Sequence, residues 1–112
     1  MNKRQVGSNY EEVAVQYLVE NGYEILYRNY RNRLGEIDII GKDGGYLCFI
    51  EVKYRSSTRF GHPLEAVNYK KQTTIRRVAE FFVFSHKCSN IKIRFDVVSI
   101  CGRDIQIYKN AF

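Results

Sequence analysis

The stretch Gly35–Lys53, GEIDIIGKDGGYLCFIEVK, reads as two apolar strands joined near Gly44-Gly45 and carrying two acids and a lysine. Ile, Val and Phe dominate both halves, as they do in strands, so Asp38, Glu51 and Lys53 need a compensating partner. With a two-residue turn at Gly44-Gly45, Asp43 faces Tyr46, and counting back along both strands puts Asp38 opposite Glu51. A turn at Asp43-Gly44 shifts the pairing by two, placing Glu36 opposite Glu51 and Asp38 diagonal to it. Both registers keep the carboxylates on one face, whereas a three-residue loop separates them. Glu51 and Lys53 lie two apart on one strand and share its face. Like charges set opposite each other destabilise a sheet, and a bound divalent cation is the natural reason to tolerate them.

The rest of the composition suits one globular domain spanning residues 1–112. With 112 residues, 45% of them hydrophobic, the chain can build a core without metal or disulfide staples. A formal net charge of +6 and an isoelectric point of 9.3 point to a polyanionic partner, nucleic acid ahead of membrane, since no basic amphipathic helix stands out. Cys48, Cys88 and Cys101 form no CxxC pair, and their odd number argues for free thiols in a reducing cytoplasm. No apolar run approaches the roughly 18–20 residues that span a bilayer, and the N-terminus has no apolar signal region.

Outward from the hairpin, helical and strand periods alternate. Ser8 and Glu11 fit a capping box, and Tyr10, Val13, Ala14, Tyr17 and Leu18 form an apolar helical stripe ending at Asn21-Gly22. Tyr23–Tyr30 reads as a strand, with Arg28, Arg31 and Arg33 clustered in and after it and Asn29 and Asn32 between them, a polar, arginine-rich loop. After Lys53 comes YRSSTRFGHP, a loop with Arg55, Arg59, His62 and the single proline, Pro63. Asn68 is placed to cap a long helix whose buried stripe is Ile75, Val78, Ala79, Phe82 and Val83. Ile91–Val98 alternates as a strand buried chiefly on one side, and Gly102-Arg103-Asp104 turns the chain into a last strand, Ile105–Tyr108. Asp96 beside Arg94 suits a structural ion pair or turn anchor. The order is α-β-β-β-α-β-β, an α/β (α+β) domain with a mixed central sheet flanked by helices.

Two convergent carboxylates suit a hard, oxygen-seeking ion such as Mg²⁺ or Mn²⁺, which keeps several waters, and there is no His/Cys set for zinc. On such an ion a water becomes a better nucleophile, and Lys53 can stabilise developing negative charge beside it. These parts assemble a phosphodiester hydrolase. Arg31, Arg33, Arg55, Arg59, Lys70 and Lys71 are the candidate phosphate contacts, with a solvated surface as the alternative for each.

At Asp38 and Glu51-Val52-Lys53 the sequence resembles the PD-(D/E)XK nuclease superfamily, although Ile37 stands where that pattern has proline. Over nearly the whole chain it resembles the YraN-like family of small uncharacterised bacterial proteins. The matching features are Gly7, Glu11 and Ala14, the blocks GEIDII and FIEVKYR, FG-P, Lys71-Gln72, RFDVV and the terminal Ala111-Phe112. That family is similar to archaeal Holliday-junction resolvases, so the resemblance implies a restriction-endonuclease-like core. It implies Asp38 and Glu51 as metal ligands, Lys53 as catalytic lysine, Glu11 as an acid completing the site, and Gln72 as a helix residue facing it. For Glu11 a capping role is the competing reading. The expectation is a Mg²⁺-dependent endonuclease acting on DNA ahead of RNA, branched or single-stranded forms included. The alternative is a non-catalytic nucleic-acid-binding domain with the same fold. A homodimer is expected by analogy with resolvases alone.

Overall fold

The computed structural model describes residues 3–55 and 67–112, the first six of them as backbone only. Arg59, His62, Pro63 and the rest of the loop after Arg55 lie outside the described residues. The elements are α1 (Lys3–Glu20), β1 (Glu24–Asn32), β2 (Gly35–Asp43), β3 (Tyr46–Arg55), α2 (Tyr69–Ser85), β4 (Lys92–Cys101) and β5 (Asp104–Tyr108). This is the expected order, and the five strands form one mixed sheet in the sequence β1-β2-β3-β4-β5. All neighbours are antiparallel except β3 and β4. Those two run parallel from Tyr46↔Lys92 to Arg55↔Cys101, with α2 in the crossover that parallel strands require.

Each helix covers one face of the sheet. Ile75, Val78, Ala79 and Phe82 of α2 pack with Ile37, Ile40, Leu47, Phe49 and Val97. Ala14 and Leu18 of α1 pack with Ile39, Cys48, Ile50, Val98 and Ile100. Phe82 anchors the α2 side through edge-on contacts to Tyr27, Tyr30 and Phe49 at 5.2–5.8 Å. Asn68 caps α2 as its position suggests, its side-chain oxygen accepting from Lys71 N at 2.9 Å.

Three local expectations are corrected. The α1 backbone is already helical from Lys3, so Ser8 lies inside the helix and not at its N-cap. The arginine-rich loop is mostly strand, because β1 continues through Arg31 to Asn32 before a two-residue turn at Arg33-Leu34, where Leu34 N donates to Asn32 Oδ1 at 2.8 Å. Finally, β4 is buried on both sides from Phe95 to Ile100. Phe95 and Val97 join one core, Val98 and Ile100 the other. A strand inside a sheet covered by helices on both faces loses its polar side.

The ion pair expected at Asp96 is the hub of a buried network. Asp96 is fully buried. It accepts from Tyr23 Oη at 2.8 Å, from Arg94 Nε and Nη2 at 2.9 and 2.8 Å, and from Asn110 N at 2.9 Å. Arg94 Nη2 also reaches Asp43 at 2.7 Å, and Lys109 Nζ reaches the same carboxylate at 2.9 Å. The network ties the hairpin tip to β4 and the segment after β5, and every Asp96 oxygen is satisfied, as a buried charge requires.

Gly41 sits against the backbone of β1. The β1–β2 register slips between Ile25 and Tyr27, and a Cβ on Gly41 would stand 2.8 Å from the Glu24 carbonyl oxygen. A backbone atom cannot rotate away, so Gly41→Ala is expected to cost about 1–3 kcal/mol. Urea denaturation should register this as a lower midpoint with an unchanged slope.

Candidate functional site

The site forms where β2 and β3 part. The Gly44-Gly45 turn sets Asp43 opposite Tyr46, and the pairing runs back regularly to Ile39↔Ile50. One step further, the count would bring Asp38 opposite Glu51, but the ladder has ended and Asp38 Oδ2 instead accepts the Val52 N–H at 2.8 Å. Side-chain alternation breaks at the same level. Ile40 and Ile37 both belong to the α2-side core, whereas Ile39 belongs to the α1 side. On β1 the matching irregularity is Asn29, between the pairs Arg28↔Ile39 and Tyr30↔Ile37, with φ +54°. Asp38 therefore sits in a cleft in the sheet and senses charges from both layers, Glu11 of α1 and Lys71 of α2.

Glu51 is the buried member of the group, only 5% exposed. Its Oε1 lies 3.7 Å from Lys53 Nζ and 3.8 Å from Lys71 Nζ, too long for tight hydrogen bonds. Its Oε2 is buried with no hydrogen-bond partner among the described residues. Burial, and secondarily the charge of Asp38, push the Glu51 carboxyl up to about 7. Burial also raises Asp38, opposed by the Val52 N–H and then by Lys71. Glu11 is raised by burial and by Asp38, with Arg28 Nε at 3.9 Å pulling the other way. One Glu11 oxygen, like that of Glu51, is buried without a hydrogen bond. In all three acids burial is the first cause of the raised affinity for protons, and the nearby cations Lys53, Lys71 and Arg28 only partly oppose it.

Glu11 and Asp38 line a cavity of about 220 Å³ together with Tyr10, Val52 and Tyr54. The Tyr10 and Tyr54 rings are stacked at its wall, centroids 3.7 Å apart and planes within 14°.

These donors fit a small hard cation. The unpartnered Glu51 oxygen and the Asp38 carboxylate are oxygen ligands held by separate strands, and Mg²⁺ needs only one or two carboxylates with water completing its shell. Among the described residues no group of three or more His, Cys, Asp and Glu side chains is placed to hold a metal ion, so an ion here would rest on the Asp38 and Glu51 carboxylates alone. The set on offer is thus an open one, in which solvent or substrate oxygens would fill most positions.

The structure does not gather every expected residue here. Gln72 is in the first turn of α2 next to Lys71, but its side-chain amide donates to Val67 O at 2.9 Å. Arg31 is exposed and paired with Glu36 at 3.1 Å. Arg33 and Lys70 are exposed, and Arg55 is half-buried at the end of β3. Lys71, read from sequence as a phosphate contact, reaches Glu51; Asn68, capping the helix three residues earlier, was the signal for its position. Tyr54, directly after the lysine of Glu51-Val52-Lys53, and Tyr10, the residue before Glu11, were not anticipated as neighbours.

A domain of two helices on a mixed sheet, with an acid pair and two lysines at a break between central strands, is what the geometry defines. The chain belongs to the uncharacterised protein family UPF0102, which matches residues 10–100 and is the YraN-like family named above. A UPF0102 protein of Caldicellulosiruptor saccharolyticus is 49% identical over 118 residues, covering all of both chains. One from Acetivibrio thermocellus is 50% identical over 99% of this chain and 93% of its own length. The UPF0102 protein FN1370 of Fusobacterium nucleatum is 44% identical over 98% and 92%, respectively.

The raised Glu51 carboxyl has a consequence for stability. The folded protein holds this proton up to about pH 7, while the unfolded chain releases it near its ordinary value of 4.5. The native state therefore binds more protons between those values, and stability falls as pH rises through the window. Calorimetric melting at several pH values should show wild type losing on the order of 2 kcal/mol relative to Glu51→Gln between pH 4.5 and 7. Parallel curves for the two proteins would contradict the assignment.

Proposed function

We propose that the protein is a Mg²⁺-dependent endonuclease, with Mn²⁺ able to substitute. It would hydrolyse phosphodiester bonds in nucleic acid, DNA ahead of RNA, on the restriction-endonuclease-like core of the PD-(D/E)XK superfamily. The observation that carries this reading is the buried Glu51, one oxygen unpartnered, held between Asp38 and two lysines at the break between β2 and β3. Asp38 and Glu51 would hold the ion. When bound, Mg²⁺ makes its water a stronger nucleophile and a coordinated phosphoryl oxygen more electrophilic.

The remaining steps fall to the chain itself. Val52 N fixes one Asp38 oxygen. Lys53, already aimed at Glu51, stabilises negative charge developing on the phosphate. Lys71 approaches the same point from the first turn of α2, whose N-terminus also favours an anion. Glu11 completes the acidic wall from α1. Arg31, Arg33, Arg55, Arg59 and Lys70 contribute to backbone binding. The Arg31–Glu36 pair is exposed and weak enough to exchange its carboxylate for a phosphate. Among the described residues no helix is long and apolar enough to cross a membrane, and the free thiols suit a cytoplasmic setting.

The test is cleavage of labelled linear, nicked, flapped and four-way DNA in Mg²⁺. Glu51→Gln and Lys53→Ala are expected to lower the rate at least about a hundredfold while the fold is retained. Failure of wild type to cut any form, or equal cutting by Glu51→Gln, overturns the proposal.

The approach of both lysines to Glu51 favours a second reading, in which they neutralise the acid and the domain binds nucleic acid without cutting it. Titration calorimetry with Mg²⁺ separates the two. Heat of binding that disappears in Asp38→Asn supports hydrolysis, whereas absence of metal binding together with salt-sensitive DNA binding supports the second.

A further inference from the structure

Tyr10 and Tyr54 come from different elements, α1 and β3, yet their rings lie nearly parallel at 3.7 Å. That is closer to face-to-face than the offset and edge-on arrangements aromatic pairs prefer. Tyr10 rests against the α1-side core, whereas Tyr54 remains 42% exposed. Both rings wall the cavity that contains Glu11 and Asp38. At about 220 Å³ it is smaller than pockets for drug-sized ligands and suits one planar ring system, not a base pair.

The chemistry around this cavity is arranged by distance along β3. Lys53 precedes Tyr54 and reaches Glu51, and half-buried Arg55 follows it. Cationic and aromatic side chains thus alternate along the strand, with the cations on the α2 side of the break and the tyrosine on the α1 side. A nucleotide has the same division, a charged backbone on one side and a flat apolar base on the other. Positively charged tracks flanked by aromatic rings are how proteins hold single strands, because every base has a π-face.

We infer that Tyr54, backed by Tyr10, is a stacking platform for a single unpaired base next to the phosphate that Lys53 and Lys71 would hold beside Glu51. The inference rests on the nuclease reading above and narrows its substrate class. A base in a regular duplex has both faces covered and cannot occupy the platform. The favoured substrates are therefore single strands, flaps and branch points, in which a base beside the scissile phosphate is free.

The test uses the full chain with Glu51→Gln, which removes cleavage, and measures binding of a single-stranded oligonucleotide carrying 2-aminopurine and of the matched blunt duplex. The Glu51→Gln protein is expected to bind the single strand more tightly and to quench the probe on stacking. Adding Tyr54→Ala or Tyr54→Leu should weaken single-strand binding roughly five- to a hundredfold and abolish the quenching, with duplex binding unchanged. Tyr54→Phe should retain both, since the ring and not the hydroxyl stacks; Tyr54→Leu keeps apolar bulk, so a purely structural role would leave it close to wild type. Equal affinity for the two forms, or a Tyr54→Leu protein that binds and quenches like its parent, overturns the platform while leaving the nuclease reading intact. Binding of neither form overturns the nucleic-acid reading and the platform with it.

Discussion

The constraint on which this molecule depends is the parting of β2 and β3 at Asp38. In a continuous ladder the Val52 N–H would pair with main chain; here it donates to the Asp38 carboxylate. That substitution satisfies the strand while opening the sheet, and it lets side chains from both helical layers meet in the gap. Glu51 is buried there at a cost that no described hydrogen bond to its second oxygen offsets. Such an arrangement persists only because the surrounding structure is rigid. The cores above and below, centred on Phe82 and Leu18, and the Asp96 network at the far end of the hairpin supply that rigidity.

The two charge centres of the sheet make an instructive contrast. Asp96 is fully buried and fully satisfied, with Tyr23, Arg94 and Asn110 N around it. Glu51 is nearly as buried, but its lysines stand off at 3.7 and 3.8 Å and one oxygen has no partner. The first pattern belongs to a group whose task is structural, the second to a group kept available. This difference in satisfaction, and not burial alone, sets Glu51 apart from Asp96.

What could be read in the sequence was what local chemistry decides. Gly44-Gly45 set the hairpin register, Asn68 set the start of α2, and the 3.6 and 2 periods gave the element order. Proximity of Asp38 to Glu51 was also legible, although by a simpler route than the molecule takes. Strict alternation requires an unbroken ladder, whereas Asn29 and Asp38 interrupt it. Features made by contact between distant segments were hidden. Nothing in Ile91–Val98 announces that both its faces are covered, nor does Gln72 reveal that Val67 O will take its amide. The Tyr10–Tyr54 stack joins residues 44 positions apart, which no periodicity encodes.

The parallel pairing of β3 with β4 also bears on when the site comes into existence. A hairpin closes within microseconds, so Asp38 and Glu51 can meet early from neighbouring sequence. The crossover through α2 closes a much longer loop, and parallel pairings of that kind form late. Lys71 arrives only with that crossover, and Glu11 only when α1 docks on the opposite face. The full charge pattern of the cleft is thus assembled last, a property of the folded whole that no early hairpin possesses.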